Sequence, residues 1–224
     1  GARVLSRPFT NWPEQRNYAL DQATTDWVLF VDVDERVTLD LAEAIRAVLT
    51  GHRPPATDDR PPVGYWIPRQ NVILGRWIRH AGWYPDYQLR LFRRSCGRYD
   101  PDRPVHELVQ LAGEAGRLAP PLVHLNYSSW GQFWAKQRRY ARLEAERLQG
   151  EGIRPKPHSL ILQPLRELRR RYWELQGHRD GLLGLQLSLA LSWFTFVTYR
   201  HLWQLQRQRQ PRPTGDAPTR WRPM

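Results

Sequence analysis

The stretch WVLFVDVDE, Trp27 to Glu35, constrains the fold more than any other part of the chain. It opens with five bulky apolar residues and runs straight into three carboxylates within four positions, broken only by Val33. A run this short and this rich in aromatic and β-branched side chains reads as a strand rather than a helix. Its lack of polar alternation implies burial on both faces, as in a central strand. Thr38 then offers an N-cap for a helix to about Leu49, with Leu41, Ala44, Ile45 and Val48 on one stripe. Strand, acidic turn and helix follow in that order. In an open α/β sheet, ligands gather at such carboxyl ends of strands.

Other segments extend this reading. Glu14 to Ala23 places Ala19, Leu20 and Ala23 at helical spacing, with Pro13 in the first turn. TGHRPPATDDRPPVG, from Thr50 to Gly64, holds four prolines and mixed charge and reads as a surface loop. GYWIPRQN, YQLRLFRR and LVHLNY read as short strands, so the middle third is mainly β. From Ser128 the texture becomes helical. One helix carries Trp130, Phe133, Trp134, Ala141 and Leu148 close to one face, a second runs from about Pro157 to Leu175, and a third from about Gly181 to Gln206. The expected organisation is therefore an α/β domain over 1–127, a helical region over 128–206 and a disordered basic tail over 207–224.

Gly181 to Tyr199 is 19 residues without a charge, near the minimum for crossing a bilayer. Ser188, Ser192, Thr195 and Tyr199 recur along one side of it. Three readings stand: a helix in a membrane interface, a buried core helix, or a span. RELRRRYW before it and the basic tail after it point to an anionic membrane surface.

Asp32 and Asp34 lie two apart. If extended geometry persists through Asp34, both carboxylates point to one side. Such a pair, with waters and a diphosphate, suits a hard divalent ion such as Mg²⁺ or Mn²⁺. The alternative is acidic decoration ahead of a helix N-terminus, where the macrodipole favours negative charge.

The order of segments is recognisable. RPFTNWPEQRNYALDQATTDWVLFVDVDE, then GYWIPRQNVILGRWIRHAGWYPDYQLRLFRR, RPVHE and HLNYSSWGQFWAKQRRYA together resemble family 2 glycosyltransferases, in the group related to lipooligosaccharide β-1,4-glucosyltransferases. The resemblance implies an α/β fold of the GT-A, Rossmann-like type and inverting transfer from a nucleotide-sugar such as a UDP-hexose to a lipid-linked or envelope glycan. It makes Asp32 and Asp34 the D-x-D pair at the donor diphosphate, with Asp34 the more direct metal ligand. It sets Gln15 and Asn17 beside the donor pocket, and Arg90 and Arg93 near donor phosphate or acceptor. Glu107 and Asp86 become the candidates for the base at the acceptor hydroxyl. His106 is placed to orient the acceptor, and Trp83 with Tyr84 to stack on a sugar ring. Family members also carry, upstream of a GARV-like segment, strands that bind the nucleotide base. This chain opens at GARV, so the expectation is a partial GT-A sheet in an N-terminally truncated chain.

Composition narrows the rivals. The net charge of +12 predicts attraction to polyanions. The basic residues are nearly all arginine, with Lys136 and Lys156 the only lysines. They cluster on the C-terminal helices beside an apolar one, which favours lipid over nucleic acid; a nucleic-acid interface would interleave arginine with exposed aromatics on a sheet face. Phosphoryl transfer would call for a phosphate-cradling glycine-rich loop, and none is visible. Cys96 is the only cysteine, so neither an internal disulfide nor a cysteine zinc site can form. The expected location is the cytoplasmic face of a bacterial inner membrane, held peripherally. The rival in a different class is an inactive fragment serving as a basic membrane-surface binding module.

Overall fold

A computed structural model describes residues 1–51, 61–101 and 109–209. The chain divides into two compact units, one ending at Ser128 and the other beginning at Ser129.

The first unit is mixed α/β, consistent with a partial Rossmann-like fold. Helix α1 (Trp12–Gln22) starts at an Asn11 cap, whose side chain accepts from the Glu14 amide at 2.8 Å while donating to the Glu14 carboxylate at 2.9 Å. Strands β1 (Trp27–Leu29) and β2 (Glu35–Val37) flank the acidic turn, and α2 (Leu39–Leu49) begins at Thr38, whose hydroxyl accepts from the Leu41 amide. Then come β3 (Gly64–Ile73), β4 (Arg76–Trp77), β5 (Asp86–Arg93), β6 (Gly97–Tyr99), β7 (Val109–Leu111), β8 (Ala115–Arg117) and β9 (Leu122–Tyr127). The main sheet runs β1-β5-β3-β9-β2, with β4 and β8 also on β3, while β6 and β7 pair separately.

Strand β3 is antiparallel to β5 and parallel to β8 and β9. Pro68, which has no N–H to give, falls at the seam where β3 changes partner from β8, at Trp66, to β9, at Arg69.

Strand β1 corrects one expectation. Among the described residues it pairs only with β5 and so lies at the sheet edge rather than its centre. The apolar run is nevertheless explained. Trp27 and Leu29 pack with Leu41, Ile45 and Val48 of α2 on one face, whereas Val28 and Phe30 pack with Leu20 of α1, Phe92 and Tyr99 on the other. Continuous hydrophobicity reports that both faces are covered; it carries no information about the edges.

The second unit is helical: α3 (Trp130–Gly150), α4 (Ser159–Arg169) and α5 (Gly181–Arg209). A π-type turn at Arg170–Glu174 and a 3₁₀ turn at Gly177–Asp180 join the last two. Helix α5 continues through Arg207 and Gln208, which the sequence assigns to a disordered tail; the rest of that tail, from residue 210, lies outside the described residues. By length and composition α5 could cross a bilayer, but 44% of its most apolar window is buried within the protein. Its polar stripe is packed rather than wetted: Ser188 and Ser192 are buried, and the Ser192 hydroxyl donates to the Pro164 carbonyl of α4 at 2.7 Å.

Candidate active site

The acidic stretch is a closed turn. The Glu35 amide donates to the Asp32 carbonyl at 2.9 Å, and the Leu125 amide of β9 donates to the Asp34 carbonyl at 2.8 Å. The pleat therefore ends before Asp32, and the extended geometry that would point Asp32 and Asp34 to one side is not adopted. The two carboxylates meet different partners.

Asp32 faces arginine. Arg90, from β5, donates through one nitrogen to the Asp32 carboxylate and to Glu35 Oε1, the latter at 2.6 Å. Arg16 of α1 adds a longer bond to Asp32 Oδ1 at 3.4 Å. Glu35 is itself buried, and its Oε2 accepts from the Asp32 amide at 3.0 Å, bracing the turn from inside. Burial works against the Arg90 charge, yet Glu35 and Asp32 outweigh it and hold that guanidinium more firmly protonated than usual.

Asp34 faces histidine. His124 of β9 is buried, with Nε2 3.5 Å from Asp34 Oδ2. Its Nδ1 lies 2.7 Å from Asn71 Oδ1. The Asn71 orientation follows from its amide nitrogen, which donates to the Trp83 carbonyl at 2.8 Å and to Asp86 Oδ2 at 3.3 Å. Asn71 Oδ1 must then accept, so His124 carries its proton on Nδ1. Burial, and next the Arg69 charge, push the His124 pKa below 6.5 against the opposing pull of Asp34 and Glu35. A neutral ring consequently presents the Nε2 lone pair to a carboxylate, and two acceptors face each other.

Arg69 links the two halves. It donates twice to Asp86 Oδ2, from Nε at 2.9 Å and from a terminal nitrogen at 2.5 Å, and its other nitrogen is 3.8 Å from Glu35 Oε1. Gln88 donates to the remaining Asp86 oxygen at 2.9 Å. Burial alone would raise the Asp86 pKa, but Arg69 outweighs it and the carboxyl is held below its ordinary value. The connected set Asp32, Arg90, Glu35, Arg69, Asp86, Asn71, His124, Asp34 leaves the acidic turn at one aspartate and returns to it at the other.

Two facing acceptors are a suitable pair of ligands for a divalent cation. Among the described residues no cluster of three or more such ligands exists. Asp34 and His124 therefore fit an ion that keeps several water or substrate oxygens, and the imidazole suits Mn²⁺ better than Mg²⁺. Asp32, committed to Arg90 and Arg16, fits direct ligation less well.

The remaining candidates are dispersed. Asn17 spends its amide on the Tyr99 backbone, donating to the carbonyl at 2.8 Å and accepting from the amide at 2.9 Å, which fastens α1 to β6. Gln15 holds a buried Oε1 without a partner, as does the Trp83 indole N–H. Arg93 lies over the Trp27 ring, 5.1 Å from its centre. Arg90 falls at a β-bulge, between the paired Leu89 and Leu91 of β5. Glu107 and His106 lie outside the described residues.

Glu35, Arg69, Asn71 and His124 are functional candidates that the sequence reading passed over. A signal was present: Arg69 and Asn71 follow Ile67 on one face of β3, and His124 follows Leu122 on one face of β9. Polar groups at inward positions of apolar strands need partners, and so point to a buried cluster.

No family model matches the chain. It is 27% identical to the lipopolysaccharide core biosynthesis glycosyltransferase LpsC of Rhizobium meliloti over 215 residues, which are 96% of this chain and 77% of that protein. A 52-residue stretch, 23% of this chain and 18% of the relative, is 33% identical to an uncharacterized glycosyltransferase, RP128, of Rickettsia prowazekii. Both relatives support a glycosyltransferase enzyme.

Proposed function

We propose that the chain acts as a family 2, GT-A-type glycosyltransferase that moves a hexosyl group, with inversion, from a nucleotide-sugar to a hydroxyl of a lipid-linked or cell-envelope glycan. The name of the Rhizobium relative, a glycosyltransferase of lipopolysaccharide core biosynthesis, supports an envelope glycan. The donor is a UDP-hexose, and the setting is the cytoplasmic face of the inner membrane. One observation carries the reading: the His124 imidazole of β9 lies 3.5 Å from the Asp34 carboxylate of the acidic turn after β1.

When bound there, Mg²⁺ or Mn²⁺ would neutralise charge on the departing nucleoside diphosphate. The protein's own groups do the rest. Glu35 and Arg90 fix the turn, so Asp34 is presented without reorganisation. Asn71 fixes the tautomer of His124 and thereby aims the Nε2 lone pair. Arg90 and Arg16 neutralise Asp32, which anchors the turn.

The base at the acceptor hydroxyl is Glu107, supported by its place in the RPVHE motif of the resembled family. Asp86 is the weaker candidate, because a base needs a free lone pair and a raised proton affinity, and Arg69 opposes both.

Donor hydrolysis and transfer by the chain, with and without Mn²⁺, test the reading on wild type, Asp34→Ala and Glu107→Gln. Both variants should lose transfer by about 100-fold or more, and Asp34→Ala should also lose the metal response. Full metal-dependent activity in Asp34→Ala would overturn the site.

A further inference from the structure

Helix α4 has no buried residue. Ile161, Leu162 and Leu165 are 65%, 49% and 56% exposed, and helical spacing gathers them on one face. The opposite side, through Pro164 and the Ser192 hydroxyl, meets α5. Arg166 borders the apolar stripe, Arg169 and Arg170 are ion-paired with Glu174 and Glu167, and the π-type turn beyond it presents Trp173, 60% exposed. From Arg154 to Glu174 the chain carries six lysine and arginine side chains against two carboxylates, Glu167 and Glu174. Among the described residues Arg154, Lys156 and Arg166 have no hydrogen-bond or ion-pair partner for their side chains. An eleven-residue helix with an internal proline and an exposed apolar face depends on its packing against α5.

We propose that α4, with Trp173 at its end, is a docking surface for an anionic lipid bilayer, the helix lying in the plane of the headgroups. The charge pattern selects this occupant. Arg166 beside the stripe, with Arg154 and Lys156 ahead of the helix, matches phosphate-bearing headgroups, the leucine and isoleucine side chains match the acyl boundary, and tryptophan prefers the level between them. The sequence directs attention to α5 for this role, but the polar stripe of α5 is engaged inside the unit and α4 is the more open helix. The inference deepens the membrane placement proposed above and is independent of the transfer chemistry.

Flotation of the full chain with phosphatidylcholine vesicles, with and without phosphatidylglycerol, tests it. Binding should require the anionic lipid. The double variant Leu162→Gln, Leu165→Gln should lower partitioning roughly tenfold or more, and Arg166→Gln should lower it less and weaken its salt dependence. Circular dichroism checks that each variant keeps its helices. A nitroxide on Ile161→Cys, in a Cys96→Ser background, should report a position below the lipid phosphates.

Unchanged flotation of the double variant, equal binding to neutral vesicles, or a nitroxide that stays in water would each overturn the surface. Donor hydrolysis measured without vesicles separates the two proposals. Hydrolysis that persists while the double variant no longer floats supports α4. Flotation that depends on Leu162 and Leu165 in a protein without hydrolysis also supports α4, and removes the transfer reading alone.

Discussion

Glu35 Oε1 lies 2.6 Å from an Arg90 nitrogen, and the two side chains, 55 residues apart, are both almost fully buried. The pair joins the acidic turn to the middle of β5. Without it, the Asp32 amide would lose its side-chain acceptor and a buried guanidinium would rest on Asp32 alone.

Breaking this pair from one side leaves an uncompensated buried charge. Glu35→Leu and Arg90→Met should each destabilise the first unit by about 3–5 kcal/mol, while the double variant Glu35→Leu, Arg90→Met should cost clearly less than the sum. Urea unfolding of the four proteins measures the coupling. Additive losses would show that the pair does not act as a unit.

Asn71 holds His124 in one tautomer, so its removal should be felt at a Mn²⁺ ion in the proposed site without touching either proposed ligand. Asn71→Ala should weaken Mn²⁺ affinity by about 10-fold or more, as loss of an outer hydrogen bond typically does. Asp34→Asn and His124→Gln should weaken it further, and Asp32→Asn less than either. Electron paramagnetic resonance of free Mn²⁺ gives the affinities, and ¹⁵N chemical shifts of the imidazole report the tautomer directly.

Acid should destabilise the first unit through two groups. The His124 pKa is lowered from 6.5, so below that pH the unfolded chain binds a proton that the folded chain resists, and stability falls as pH drops. The Asp86 pKa is lowered from 3.8, so its contribution is complete above that value and is lost as pH falls through it towards the folded-state value. Each group contributes a slope of up to about 1.4 kcal/mol per pH unit. His124→Gln should remove the first contribution and leave the second, as read from unfolding free energies at successive pH.

In the helical unit, a Cβ on Gly184 would overlap the Gly177 carbonyl oxygen and crowd Asp180. The obstacle is backbone, which cannot swing aside as a side-chain tip could. Gly184→Ala should therefore lower stability by about 1–3 kcal/mol despite the better helix propensity of alanine, with thermal unfolding as the measure.

The sequence by itself determined the local elements and their chemistry. Asn11 and Thr38 cap helices because their side chains reach amides three residues on, and GYWIPRQN, YQLRLFRR and LVHLNY become β3, β5 and β9 because residue type and turn chemistry are local properties. It also marked Asp32 and Asp34 as residues of interest. Only the tertiary structure decided which of them is available. Arg90, Glu35 and Arg69 reach the turn from separate strands through sheet pairing, and this pairing hands Asp32 to arginine and Asp34 to His124. Strand order was likewise beyond local reading, since hydrophobicity records which faces are covered, and β1, covered on both faces, pairs among the described residues with β5 alone. The same holds for the helices: α5 looks the more membrane-like from its composition, yet packing sets its polar stripe against α4 and leaves the apolar face of α4 in the open. Exposure is a property of what neighbours cover, and neighbours distant in sequence are chosen by the fold.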